Sequence, residues 1–425
     1  MPLERVVVTG LGVVASNAND VASFTRALRE GTSGVRFHES LAAMGLGCQV
    51  GGIPQGVDDL AVRYLGEDDL LTMNANMVYA AIASVDAWTD AGLARISPDA
   101  GEPDWDTGAI VGTGYGGIET VADKLVPRTD ARKVARMGST VAEQSMCSGN
   151  SARIGGLLGL GNLVSTNSSA CNTGTEAVVD AFFRIREGRA KRMIAGGSDG
   201  HSRYSWAAFD AMRVTCRGFN DAPEKASRPM SASAAGFVPS SGAGALLLES
   251  LPSARARGAR IYAEVLGGHL NSGGQRGAGT MTAPNPDGIR RCIRSAIDLA
   301  GVAPAEIDLV NGHLTATFAD PGEVGAWSGA LGLSPARMPL LQSTKSLIGH
   351  ALGAAGAIEC VASVLELHHG FVHGSTNCED LHPELAAYAD RIPHATIDRP
   401  VRIVAKASFG FGDVNGCVLF RRYEA

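Results

Sequence analysis

Cys171 stands in NSSACNTG, between small polar residues and just ahead of Glu176–Gly188, which reads as a helix. A cysteine at a helix N-terminus feels the positive end of the dipole and the unpaired N–H groups there, and both favour thiolate over thiol. The same N–H groups can hold an oxyanion formed by attack on a carbonyl. Cys171 is therefore a candidate nucleophile; the plain alternative is a packed structural thiol. Two histidines have distinctive surroundings: His313 in VNGHLTATFADPGE, after the strand-like IDLVN, and His350 in STKSLIGHALGAAGA. For each, the alternative is a histidine satisfied in a core or an exposed one, which is how His368, His369 and His373 read. Ala351, Gly353, Ala354, Ala355 and Gly356 leave the helix after His350 almost without side-chain bulk. Such a helix can pack closely on a mate and bring His350 to Cys171.

Lys345 lies between Thr344 and Ser346, ahead of Leu347 and Ile348. If buried it needs an acid, and Asp320, Glu323 and Glu359 are the candidates; otherwise it is a solvated lysine. KASFGFGDVNG at 406–416 sets Phe409 and Phe411 on either side of a glycine. It reads as a strand-to-strand turn, or as a gate with apolar plugs whose backbone N–H groups serve an oxyanion hole.

These groups lie far apart in sequence, so a scaffold must gather them. Arg5–Thr9 and Thr107–Gly112 read as buried strands, Met77–Ala91 as a helix, and Arg192–Ala195 as the strand after Glu176–Gly188. Such alternation predicts an α/β fold with covered sheets. RVVVTGLGVV near the start is echoed by RIYAEVLGGHL at 260–270, which predicts two similar halves, 1–255 and 256–425, joined through the polar link ESLPSARARGAR. Gly10, Gly12 and Ala15 have the spacing of a dinucleotide fingerprint, but SNAND follows, with a helix cap at Asn19 or Asp20, and no acid-tipped second strand. Tight packing of a turn is the better reading.

The net charge of −6 gives no bias toward nucleic acid or anionic membranes. The chain shows no apolar run of membrane-spanning length, and MPLERVVVTGLG reads as a strand, not a signal peptide. Eight scattered cysteines without a CxxC pair argue against a disulfide framework or structural zinc and point to the cytoplasm.

With SSACNTG, the two histidine motifs, GTGYGG at 112–117, AGGSD at 195–199, FNDAPEKASRP at 219–229 and SFGFG, the chain resembles the elongating β-ketoacyl-[acyl-carrier-protein] synthases over nearly its whole length. Initiating synthases resemble a Cys-His-Asn pattern instead. Biosynthetic thiolases carry a second cysteine in a motif that VNGC at 414–417 does not match. The resemblance implies a thiolase-like fold with α-β-α-β-α layers. It implies that Cys171 holds an acyl group and that the N–H groups of Cys171 and Phe411 form the oxyanion hole. His313 and His350 would donate to a malonyl thioester carbonyl during decarboxylation, with Lys345 beside them. Lys345 with Glu359, Asp320 and Glu323 would form a buried charge network. Thr315 and Thr317 would contact pantetheine, and Phe409, Phe411 and Tyr115 would line the substrate path, with Tyr115 near the end of the acyl pocket and the dimer partner.

No metal or redox cofactor is implied, since phosphopantetheine arrives on the acyl carrier protein. An acidic carrier would dock on Lys124, Arg128, Arg132, Lys133 and Arg136, whose alternative is a solvated charged helix. A homodimer is implied, or a heterodimer with a related subunit. A partner subunit without catalysis and a thiolase-type acyltransferase are the competing classes. Leu314, Phe318, Ala407, Asp413 and Val414 depart from the family pattern. They imply a crowded cleft at Leu314 and a stiffened or recharged gate at Asp413, and leave two pathways open, ordinary fatty-acid elongation and a specialised polyene or polyketide-like chain.

Overall fold

The computed structural model describes residues 3–97, 99 and 101–424. Ten strands form one mixed sheet: β1 (Val6–Val14), β2 (Thr107–Gly112), β3 (Val164–Ser165), β4 (Arg192–Asp199), β5 (Gly242–Ser250), β6 (Ala263–Ser272), β7 (Leu309–Asn311), β8 (Leu340–Gln342), β9 (Ile403–Gly410) and β10 (Val414–Arg422). Most are buried along their whole length, so they read as continuous apolar runs rather than alternating ones. Outward from the central β1–β6 pair the two sides repeat one order, β1-β5-β4-β2-β3 and β6-β10-β9-β7-β8. Each side steps antiparallel twice, then parallel twice. Among the described residues, strands of the two arrays pair only where Val6–Val8 meets Ala263–Val265.

Five helices complete the layers: α1 (Ala75–Asp90), α2 (Thr173–Arg186), α3 (Pro286–Ala300), α4 (Asp320–Leu331) and α5 (Ala355–His369). Helices α2 and α5 lie between the arrays and touch both; α1 covers the outer face of the first, and α3, backed by α4, covers that of the second. The result is α-β-α-β-α. Each interface between layers has its own apolar core. Ile82, Val111 and Leu247 pack under α1, Val178, Phe182, Ile358 and Val361 fill the middle, and Ile293, Val310, Trp327 and Leu419 pack under α3 and α4. Among the described residues, no helix is long and apolar enough to cross a membrane.

The first strand runs on to Val14 through Gly10 and Gly12, so the fingerprint-like glycines are strand residues and not a turn. Their role is close approach: a Cβ at either position would lie 1.9 Å from the Ala87 or Ala83 carbonyl oxygen of α1. Asp20 caps the helix Val21–Glu30 by accepting from Ser23 N at 2.8 Å. The echo strand β6 holds the same place in its array as β1 does in the other.

The central helices are also counterparts, since α2 connects β3 to β4 and α5 connects β8 to β9. They cross with backbones nearly touching. A Cβ at Gly174 would lie 2.4 Å from Ala357 N, and one at Gly356 would lie 2.6 Å from Thr175 N. Gly174→Ala should therefore destabilise the fold by about 1–3 kcal/mol, because a backbone atom cannot yield as a side chain can. Urea unfolding at wild-type midpoint would contradict that account of the crossing.

Candidate active site

The chain enters α2 through one tight turn, Ala170–Asn172, which puts Cys171 at the helix entrance. Thr173 secures that turn: its hydroxyl donates to Ala170 O at 2.7 Å and accepts from Ser169 N at 2.9 Å. On the other central helix, His350 precedes α5 and brings Nε2 to 3.1 Å from Cys171 Sγ. The closely packed small-residue helix thus places His350 as its sequence implies. Leu352 N donates to His350 Nδ1 at 3.3 Å, which makes Nδ1 the acceptor and assigns the ring hydrogen to Nε2. His350 therefore presents a donor to the sulfur.

A helix entrance predicts a thiolate, but here burial outweighs it. Desolvation pushes the Cys171 thiol up to about 12, opposed by the positive Lys345 and by the Phe411 N–H near the sulfur. The resting group is a thiol, and His350 Nε2–H and Phe411 N–H stand ready to bond the thiolate as it forms. Phe411 occupies the turn between β9 and β10, so SFGFG is both a hairpin and the carrier of this donor.

His313 follows β7, where the chain leaves the sheet. Its ring stands 5.3 Å from that of His350, nearly perpendicular, and 6.1 Å from Phe409. One nitrogen of each imidazole and the Cys171 sulfur lie within 4.8 Å of one another. Burial, then the positive charge of Lys345, hold both histidines well below their ordinary value. Both are neutral near pH 7 and can donate without being acids. The group resembles a Cys/His/His metal site in composition, but His350 turns a hydrogen, not a lone pair, to the centre.

Lys345 is buried, and Glu359 is its ion-pair partner. Lys406, unassigned by the sequence, reaches the other oxygen of Glu359 at 2.9 Å. Glu323 acts on Lys345 through its charge, but among the described residues neither it nor Asp320 forms an ion pair with the lysine. Instead Glu323 accepts from the N–H groups of His313 (2.6 Å) and Leu314 (2.7 Å). Asp320 accepts from Thr315 N at 2.9 Å, Ala316 N at 3.1 Å and Met230 N at 2.9 Å. Both carboxylates clamp the backbone of the His313 loop. The Thr315 and Thr317 hydroxyls lie 3.1 Å apart on the same loop, half-buried.

Leu314 does not crowd the cleft. It is buried in the core under α3 and α4, turned there by a backbone φ of +22°. Phe318, by contrast, is 92% exposed. Asp413, buried at φ +61°, ties the gate turn down by accepting from Gln275 N at 2.9 Å and Asn285 N at 2.8 Å. Gly273 and Gly279 make room for its carboxylate, which a Cβ at either would strike. The turn between β9 and β10 is thus held down. Ala407 lies in the second-half core, and Val414 opens β10.

Tyr115 is half-exposed and sets its ring edge-on to Phe209 at 5.9 Å. Phe209 continues to Phe237 (5.4 Å) and Phe411 (6.2 Å), and Phe237 reaches His350 at 5.3 Å. An aromatic wall therefore runs from Tyr115 to the site, and nothing in the sequence singled out Phe209 or Phe237. Asp199, noticed only within AGGSD, accepts from Thr113 Oγ1, Gly114 N, Tyr115 N and Gly353 N at 2.7–3.2 Å. It pins the GTGYGG loop to the segment between His350 and α5. Lys124 and Arg128 lie on one exposed helical stretch, Val121–Asp130, with Lys124 bonded to Gln144, and Arg132 and Lys133 lie in the exposed turn that follows it. Among the described residues, Arg128, Arg132 and Lys133 have no ion-pair partner.

The beta-ketoacyl synthase N-terminal domain matches residues 3–254, and the C-terminal domain of the same family matches residues 262–379. A 3-oxoacyl-[acyl-carrier-protein] synthase 2 from Rhizobium meliloti is 38% identical over 82% of this chain and 80% of its own. A 3-oxoacyl-[acyl-carrier-protein] synthase 1 from Escherichia coli is 33% identical over 99% of this chain and all of its own. Among solved structures, the ishigamide ketosynthase/chain length factor superposes with a TM-score of 0.87 at 31% identity, covering 99% of this chain and 100% of that one.

Proposed function

Since the chain belongs to the β-ketoacyl synthase family, we propose that Cys171, His313 and His350 carry a decarboxylative condensation between an acyl group and a malonyl thioester. The observation that supports it most is the meeting of one sulfur and two neutral imidazoles, with His350 Nε2 3.1 Å from the sulfur. Cys171 attacks the acyl-carrier thioester, and the new S–C bond replaces the bond to the carrier thiol, which leaves with a proton. The N–H groups of Cys171 and Phe411 hold the oxyanion in that step. Malonyl carrier then loses carbon dioxide, and the electron pair moves onto its thioester oxygen, held by donors from His313 and His350. The resulting carbanion attacks the acyl–Cys171 carbonyl, and the C–S bond breaks to release the β-ketoacyl carrier and the Cys171 thiolate, which takes a proton from solvent to return to the thiol. Splitting the reaction at a covalent intermediate gives two easier steps.

Thr315 and Thr317 would hold the carrier's pantetheine arm, and Phe409 would back His313. The carrier is an acidic acyl carrier protein, recruited by Lys124, Arg128, Arg132 and Lys133. The enzyme would work as a homodimer or beside a related subunit; the likeness to a ketosynthase/chain length factor favours a paired arrangement. A complete Cys171, His313 and His350 set argues against a partner subunit without catalysis.

The wall from Tyr115 through Phe209 favours a chain other than the long saturated ones. Incubation with a mixed pool of short and long acyl carriers, followed by the mass of the acyl group on Cys171, should show short chains dominating, and Tyr115→Ala should admit longer ones. Equal loading of long saturated chains by the wild type would remove Tyr115 from the pocket.

A further inference from the structure

Helix α5 is buried nearly all round, yet it carries Glu359, Ser363 and Glu366. Spacings of four and seven residues put all three on one face. Glu359 holds the two lysines. Glu366, two turns on, has no cation among the described residues; it accepts from Gln342 Nε2 at 2.7 and 2.8 Å and from His373 N at 2.9 Å. These bonds fix the backbone at His373, whose ring is wholly buried.

The direction of the bonds around that ring can be assigned. His373 Nδ1 lies 3.0 Å from Gly374 O, and a carbonyl only accepts, so Nδ1 carries the hydrogen. Nε2 is then an acceptor, and Thr344 Oγ1, 3.1 Å away, donates to it. Thr344 Oγ1 in turn accepts from Asn311 Nδ2 at 3.0 Å. One oriented chain runs Asn311 to Thr344 to His373 to Gly374. Thr344 directly precedes Lys345, and Asn311 stands two residues before His313. The turn Lys345–Ile348 has four residues, too few to hold a helical geometry alone.

We infer that His373 is a positioning residue of the condensation site: through Thr344 it fixes Lys345, and with it the positive charge that faces Cys171 and the two imidazoles. The inference rests on Cys171 being the acyl-holding nucleophile. The groups whose charge acts on the Cys171 sulfur are Lys345, Asp199 and Glu359, with neutral His350 beside it. Lys345 is the influence that favours thiolate, so losing its position makes the thiolate harder to form.

The test compares His373→Ala, His373→Gln and Thr344→Val with wild type. Cys171 alkylation by iodoacetamide is followed against pH by peptide mass, because Cys147 is exposed as well. His373→Ala should move the Cys171 midpoint to higher pH. It should also lower the rate of acyl loading onto Cys171 by roughly ten- to a hundredfold, with KM for the acyl carrier unchanged. Thr344→Val, which removes only the hydroxyl, should shift the midpoint the same way. His373→Gln, able to accept from Thr344 and donate to Gly374, should restore both quantities. An unshifted midpoint in His373→Ala or Thr344→Val, or a Gln variant no better than Ala, overturns the inference. A lowered Tm with the wild-type midpoint also overturns it, since that is a structural role alone. A shifted midpoint in an enzyme that does not condense would instead sink the reading of the reaction and leave the positioning role standing.

Discussion

Cys171→Ala should condense at least about 10⁴-fold more slowly than wild type, yet still release carbon dioxide from malonyl carrier. The two steps use different atoms. Condensation needs a sulfur to hold the acyl group while the carrier leaves. Decarboxylation needs only donors to the thioester oxygen, and His313 and His350 keep their places when the sulfur is gone, since Glu323 anchors one and Leu352 N–H orients the other. His313→Ala should do the reverse, lowering decarboxylation by roughly 10²–10³-fold, the usual cost of losing one oxyanion donor, while Cys171 still takes up an acyl group. Separate assays of acyl loading, carbon dioxide release and β-ketoacyl product would resolve all three. Condensation by Cys171→Ala at more than trace rate would end the assignment of Cys171.

The largest effect on stability is expected at Glu359. It is fully buried between Lys345 and Lys406, themselves at most 1% exposed. Removing the one acid of a buried group strands cations that cannot reach water, so Glu359→Gln should cost about 3–5 kcal/mol. It also gives the protein a new pH dependence whose sign can be stated. Burial already lowers Lys345, and Glu359 raises it. Without Glu359 the buried lysine is neutral in the folded state and protonated in the unfolded one. The unfolded state then binds more protons, so the variant gains stability as pH rises, until the unfolded lysine itself titrates near pH ~10.4. Replacing Lys345, Lys406 and Glu359 together by apolar residues should cost less than Glu359→Gln alone. A Tm for Glu359→Gln within a degree or two of wild type would refute the buried triad.

Much of this site was legible because its parts come as local patterns. A cysteine ahead of a helix, a histidine ahead of a bulk-free helix and a glycine-flanked phenylalanine pair each carry their chemistry in neighbouring residues. The strand and helix alternation carried the α/β fold in the same way. What escaped depends on which way a side chain faces. Lys406 sits in IVAKASFG, a strand buried on both sides, where alternation no longer separates inside from outside. Leu314 was expected in the cleft, and a positive φ turned it into the core. Asp199, Phe209 and Phe237 are ordinary in sequence and matter only through what the fold sets beside them. Asp320 and Glu323 were identified as buried acids, but their partners are backbone N–H groups, which no sequence pattern displays. The rise of the Cys171 thiol is not legible for the same reason: helix position is local, whereas desolvation depends on the whole packed surround.

The order of strands repeats about the centre of the sheet, and the two helices that cross there are counterparts. Cys171 lies within the turn Ala170–Asn172 that enters one, and His350 lies just ahead of the matching turn Leu352–Ala354 that enters the other, so the thiol and its donor come from the same end of the two helices. Two unlinked identical halves, brought together by symmetry, would present the same residue at both entrances: two thiols or two imidazoles. Reaction between unlike groups on the axis needs that equivalence broken. A single chain holding both halves can break it, because each entrance is encoded separately. In this molecule, division of labour is a property of covalent linkage as much as of side-chain chemistry.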